Sequence, residues 1–135
     1  LELARMYGYL YQKTDKNFTI LHALDGYDEI ALTGVTKAIR NDKELMLRPE
    51  DFGVKKHDAK TIGGGDSVES SAKIFMDVIS GQGTKEQNNV VWANAGMAIA
   101  TALNLEPREG FDKAKESLLS GKGLEALKTL QTLSR

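Results

Sequence analysis

The sequence predicts one compact α/β unit, and three observations predict it. Two runs rich in β-branched and other apolar residues, FTILHAL and IALTGVTKAIR, read as strands. Apolar residues at helical spacing recur outside them, as in Leu3, Met6, Tyr7, Leu10 and Tyr11. No repeat, low-complexity stretch or linker divides the 135 residues. That length suits one domain over residues 1–135 and can bury a core without metal or disulfide staples.

The elements follow in order. A first helix is expected over about residues 2–13, with Gly8 a weak spot inside it. Its apolar stripe needs a partner. The helical pattern is already running at Leu1 with no initiating Met, as expected of a piece of something longer or of a processed chain. TDKN ends the helix, and FTILHAL follows as a buried strand. DGYDE turns at its carboxyl end, and IALTGVTKAIR is the second strand, bent at Gly34. NDKE is a polar turn, and LMLRPEDFGVKK is a short extended run and then a loop, because a residue before proline is pushed out of the helical region. Past the glycines, Val68, Ala72, Phe75, Met76 and Ile79 share a helical face that Gly81 ends. NNVVWANAGMAIATALNL is apolar almost all round and reads as a central, buried helix. Two amphipathic helices, broken around Ser120-Gly121, close the chain.

Composition limits the function classes. A net charge of −1 gives no electrostatic case for nucleic acid or an anionic membrane. The chain has no cysteine, which excludes disulfides, thiolate catalysis and Cys-type zinc sites and fits a reducing compartment. No apolar run reaches the ~20 residues of a membrane span, and no secretory signal is visible. The expectation is a cytoplasmic protein.

Two stretches carry candidate chemistry. TIGGGDSVESSAK has glycines before a helix, where free N–H groups and the helix dipole can bind phosphate. Asp66 followed by Glu69 is instead the pattern of an N-cap and an N3 acid, and it puts negative charge where phosphate would sit. With no Walker or G-x-G-x-x-G spacing, local chemistry favours a helix start. HALDGYDEI places Asp25, Asp28 and Glu29 at the end of an expected strand, where ligands bind in α/β sheets. On spacing alone it reads as an exposed acidic turn built on Asp25-Gly26. The alternative is a Mg²⁺ site, since a few hard oxygens suit an ion that keeps waters and bridges to phosphates.

The remaining polar residues read more plainly. His22 is a structural hydrogen-bonder, and His57 is solvated beside the surface pair Lys55-Lys56. Asn89 is a candidate N-cap, Asn94 needs a buried hydrogen-bond partner, and Trp92 is core.

Taken in order, FTILHALDGYDEIALTG, LRPEDFGV, GGGDSVESSAKIFMDVISGQGT, VVWANAGMAIATAL and GFDKAKESLLSGKGLEALKTL resemble the carboxyl-terminal part of the anthranilate phosphoribosyltransferase family. That family carries a His-Gly-x-Asp-Gly-x-Asp-Glu stretch, a Pro-Glu-x-x-Gly stretch, a Gly-Gly-Asp before a helix, an Asn-Ala helix and a Ser-Gly tail. The resemblance covers essentially the whole chain. It implies a central sheet flanked by helices, the carboxyl-terminal part of a larger phosphoribosyltransferase catalytic domain shared with nucleoside phosphorylases.

The resemblance also implies a reaction. Anthranilate displaces pyrophosphate from phosphoribosyl pyrophosphate, a step of tryptophan biosynthesis. The family's Mg²⁺-holding Asp-Glu pair falls on Asp28 and Glu29. The family's phosphate-binding Gly-Thr-Gly-Gly-Asp loop lies in the amino-terminal half and has no match here, so the glycines at 63–65 are a helix start. The helical domain through which the parent is expected to form a homodimer is also missing, and the isolated piece is expected to be inactive.

Ala23 stands where the family has Gly after His22, Tyr27 takes the variable position, and Ser70-Ser71 replaces an expected Glu-Asn or Asn-Ala-like pair. Two alternatives use the same fold. A non-catalytic or nucleic-acid-binding paralogue is opposed by the charge of −1. A pyrimidine nucleoside phosphorylase relative is opposed by the D-G-x-D-E stretch.

Overall fold

The computed structural model describes residues 2–41 and 43–134. Three short strands, β1 (Thr19–Ala23), β2 (Thr36–Arg40) and β3 (Lys43–Leu47), form an antiparallel sheet in the order β1-β2-β3. Helix α1 (Glu2–Tyr11) precedes the sheet. After it come two 3₁₀ turns, Pro49–Phe52 and Ala59–Ile62, and then α2 (Val68–Ile79), α3 (Lys85–Leu103), α4 (Pro107–Leu119) and α5 (Lys122–Leu133).

Successive residues of a strand point to opposite faces, and β2 shows what each face meets. Ala38 is fully buried on one side, in the main core with Leu32, Leu47, Phe52, Trp92, Met97 and Phe111. Ile39 points the other way, to a smaller cluster with Ala4 of α1 and Phe18. The sheet therefore lies between α1 and α3, as an α/β layering requires.

Helix α1 does not pack through the expected stripe. Leu3, Met6, Tyr7, Leu10 and Tyr11 are all exposed, and Ala4 and Gly8 make the contact instead. A Cβ on Gly8 would lie 3.3 Å from Ile39 Cγ2, so Gly8 lets the helix sit close to β2. Tyr11 reaches sideways to stack on Phe18, with ring centroids 5.4 Å apart. The face expected of α2 is corrected in the same way. Val68, Phe75 and Met76 are exposed, and Val78 is the buried residue of that helix.

The second strand begins at Thr36 and not at Ile30. Residues 30–33 are buried, but as the anchored floor of a loop. Leu32 has φ 61°, outside any strand conformation. The polar NDKE stretch, expected to be a turn, gives its end to β3, which starts at Lys43.

Helix α3 is the spine. It begins at a capping box, Thr84 with Gln87, so the cap is Thr84 and not Asn89. It ends at Asn104, in the left-handed conformation (φ 53°) that favours a C-cap. There Arg40 of β2 donates to the carbonyls of Ala100 and Leu105 at 2.7 and 2.6 Å, tying the sheet to the end of α3. Helix α4 packs on α3 with backbones in contact. A Cβ on Gly96 would lie 2.6 Å from Phe111 Cα, and one on Gly110 would lie 2.1 Å from the Gly96 carbonyl oxygen. Trp92 and Phe111 meet edge to face beside this crossing, with centroids 5.9 Å apart. Among the described residues no helix is long and apolar enough to cross a membrane.

Candidate functional site

The acidic turn leaves the carboxyl end of β1, as its sequence position implied. The strands around it are antiparallel, so the tendency of ligands to gather at the strand ends of open parallel sheets does not apply to it.

Its three carboxylates divide into two kinds. Asp25 is a staple. The Thr33 hydroxyl donates to Asp25 Oδ2, and a Cβ on Gly34 would lie 2.7 Å from the same oxygen. Gly26 beside it has φ 93°, the turn conformation that Asp-Gly supplies. Asp28 and Glu29 are exposed and face an open cavity of about 320 Å³. Tyr27, Ile30 and Ala31 complete the near side of that cavity, and Ile62 and Val90 form the far side. The ion pairs among the described residues, Lys37–Glu44, Lys73–Asp77 and Arg108–Asp112, involve neither Asp28 nor Glu29.

The floor under the turn is fixed from several directions. Leu24 N–H donates to the Val35 carbonyl at 3.0 Å, closing the loop where it leaves the sheet. His57 N–H donates to the Leu32 carbonyl at 2.9 Å. Asn94 of α3, half-buried, is the residue that the sequence flagged as needing a buried hydrogen-bond partner, and that partner is the backbone of Ile30. Asn94 Oδ1 accepts from Ile30 N–H at 3.0 Å, and Asn94 Nδ2 donates to the Ile30 carbonyl at 2.8 Å and to the Val90 carbonyl at 2.9 Å. The apolar side chains of Ile30 and Leu32 sit in the core, 2% and 1% exposed.

The donor set can be tested against Mg²⁺. Two adjacent exposed carboxylates offer hard oxygens, and among the described residues no group of three or more His, Cys, Asp or Glu side chains converges. Such a pair fits Mg²⁺ shared with a phosphate-bearing ligand, because Mg²⁺ keeps waters and takes few protein oxygens. It does not fit an all-protein cage.

The glycine stretch is built differently. Its helix cap is Ser67 and not Asp66, and its N3 partner is Ser70 and not Glu69. Ser70 Oγ accepts from the N–H groups of Asp66 and Ser67 at 3.1 and 3.0 Å, and Ser67 Oγ accepts from Ser70 N–H at 3.1 Å. The N–H groups of Asp66, Ser67 and Ser70 at the helix start are thus bonded by the chain's own serines. Gly65 has φ 91°, and a Cβ there would lie 2.6 Å from Ser70 Oγ, so the glycine makes room for the cap.

His57 is not simply solvated. It is half-buried, and its Nε2 lies 3.3 Å from Asn89 Nδ2, a donor that requires a neutral, accepting ring nitrogen. Burial lowers the His57 pKa below 6.5, the nearby Glu86 charge opposes that shift, and Lys85 adds to it. His22 is half-buried on β1, Lys55 and Lys56 are exposed, and Trp92 is core at 8% exposed. Thr33, Ile62 and Val90 had no signal in the sequence, because each is an ordinary residue until the fold sets it against the turn.

The anthranilate phosphoribosyltransferase of Flavobacterium psychrophilum is 65% identical over 134 residues, which is 99% of this chain and 41% of that protein. The anthranilate phosphoribosyltransferase of Christiangramia forsetii is 62% identical over all of this chain and 41% of its own length. The chain thus spans about two fifths of the curated relatives that it matches. Among solved structures, the anthranilate phosphoribosyltransferase of Thermus thermophilus overlays with a TM-score of 0.83 at 23% identity, over 95% of this chain and 39% of that one, a likeness of fold. The Saccharomyces cerevisiae enzyme in complex with PRPP and Mg overlays with a TM-score of 0.79 at 25% identity, over 94% of this chain and 37% of that one. Residues 2–124 match the profile of the glycosyl transferase family, a/b domain, and the chain belongs to that family.

Proposed function

We propose that this chain is the metal-holding part of an anthranilate phosphoribosyltransferase, acting within a polypeptide of its relatives' length. The reaction moves the phosphoribosyl group of phosphoribosyl pyrophosphate onto anthranilate and releases pyrophosphate, a step of tryptophan biosynthesis. The 65% identity to the Flavobacterium psychrophilum enzyme across 99% of the chain carries this reading. The geometry agrees with it, since the acidic turn points two unpaired carboxylates outward from a floor that the core holds still.

In this reading Asp28 and Glu29 hold Mg²⁺. Bound there, the ion would neutralise charge growing on the departing pyrophosphate. The chain's own part is orientation. Asp25 and Thr33 set the start of the turn, and Ile62 and Val90 line the cavity opposite the carboxylates with apolar surface. A cytoplasmic location and a homodimer formed outside this chain go with the same reading, and the isolated piece is inactive because it holds neither the phosphate loop nor the anthranilate contacts of the family.

The test is the loss of anthranilate fluorescence in the full polypeptide, given phosphoribosyl pyrophosphate and Mg²⁺. The Asp28→Asn/Glu29→Gln variant is expected to lose about a hundredfold in rate, the scale on which removing electrostatic help slows such chemistry. A polypeptide inert with anthranilate would defeat the assignment. An active one whose variant keeps its rate would defeat the metal role.

A further inference from the structure

The glycosyl transfer reading assigns the carboxylates but leaves open what aims them. We infer that Asn94 is the positioning residue of the acidic turn, a proposal that rests on the metal role of Asp28 and Glu29. Ile30 follows Glu29 directly, and both of its backbone polar groups are held by the one carboxamide of Asn94, at 3.0 and 2.8 Å. The second amide hydrogen of Asn94 goes to the Val90 carbonyl one turn back on α3, at 2.9 Å. This third bond fixes the carboxamide against its own helix and leaves it one orientation in which to hold Ile30.

The placement gives Asn94 more than a packing role. Two bonds to the N–H and C=O of one residue set both the position and the direction of the chain there. The preceding residue, Glu29, inherits that direction through planar peptide bonds. Val90, which shares the Asn94 bond, also lines the cavity that Asp28 and Glu29 face. A single helical turn of α3 thus supplies both the clamp on the turn and a wall of its cavity. The other ties of the loop, at Leu24, Thr33 and Leu32, lie on either side of Glu29 and further from it in the chain than Ile30. Groups that orient metal-binding carboxylates typically change metal affinity 10–100-fold when removed.

The experiment uses the full polypeptide with Mn²⁺ as the probe and phosphoribosyl pyrophosphate present. It reads the enhancement of water-proton relaxation that marks protein-bound Mn²⁺, and in parallel the KM for anthranilate. Asn94→Ser is the informative variant, because a helical serine bonds the carbonyl four residues back and keeps the Val90 tie while losing both ties to Ile30. Asn94→Ala is the second. Both are expected to raise the Mn²⁺ concentration for half-maximal enhancement about tenfold and leave the KM for anthranilate unchanged. Met97→Ala, in the core of the same helix, controls for general loosening and is expected to lower the melting temperature without moving the Mn²⁺ curve. A Mn²⁺ midpoint within twofold of the unmodified protein in both Asn94 variants overturns the proposal, as does an equal shift in Met97→Ala. Asp28→Asn/Glu29→Gln separates the two ideas. If that variant keeps the full enhancement, the metal site itself is wrong and the clamp falls with it. If it loses the enhancement while the Asn94 variants keep theirs, the clamp alone is wrong.

Discussion

The acidic turn and the glycine stretch are both loops that feed regular structure, and both carry the residue types of a ligand site. They differ in where their polar groups are spent. In the glycine stretch the N–H groups of Asp66, Ser67 and Ser70 are bonded locally, by Ser67 and Ser70 at the start of α2. In the acidic turn the polar ties lie underneath, to Thr33, Leu32 and Asn94, and two charged groups are left facing solvent. A loop that satisfies itself is a cap. A loop held from below, with its charges unpaired above, is built to meet something else.

Three substitutions sharpen this contrast, beginning with the largest. Thr33→Val removes the hydroxyl that donates to Asp25 and is expected to cost about 1.5 kcal/mol, the lower end for a hydrogen bond to a charged group. Amide exchange across residues 24–35 should quicken with it. A denaturant midpoint and an exchange pattern that both stay put would mean the turn does not depend on its underside. Ser67→Ala removes the cap of α2 and is expected to cost about 1 kcal/mol in denaturant melts. It should leave the rate with anthranilate unaltered, and a loss of rate would give the glycine stretch a share in ligand binding.

The smallest effect concerns His57, which ties the floor of the turn through its backbone and Asn89 through its ring. Its pKa is lowered on folding, so the unfolded chain takes up a proton before the folded one does. The stability from the neutral ring is full above about pH 6.5 and is lost as pH falls through 6.5 toward the folded value. Melting temperatures taken across that range should fall more in the unmodified protein than in His57→Gln. Parallel curves would show that the ring contributes nothing to the floor.

Much of the fold was legible in the sequence. The existence and order of α3, α4 and α5 follow from apolar periodicity and from the break at Ser120-Gly121, and the central place of α3 follows from its apolar surface, but α3 starts at Lys85, ahead of the apolar run from Asn88. The errors share one cause. Apolar periodicity reports which residues avoid water in some context, not which neighbour covers them. Leu3, Met6 and Leu10 form the apolar stripe of α1, yet the helix packs through Ala4 and Gly8, where smallness lets backbones approach. Ile30 and Leu32 read as strand because they are apolar and buried, yet they anchor a loop. The candidate carboxylates were legible as residues and motif. Their support was not, because Thr33 of the loop and Val90 and Asn94 of α3 are distant in sequence, and only the fold brings them to the turn.

The most direct measurement compares the two loops in one assay. Gly63 and Gly64 have nothing within 4 Å of an added Cβ and lie outside the left-handed region, so Gly63→Ala/Gly64→Ala changes the glycine stretch without strain. The rate of anthranilate consumption by the full polypeptide is measured for this variant beside Asp28→Asn/Glu29→Gln. The account predicts a rate within about twofold of the unmodified protein for the glycine variant and a loss of about a hundredfold for the acidic one. The reverse pattern, with the glycine variant crippled and the acidic variant active, would contradict it.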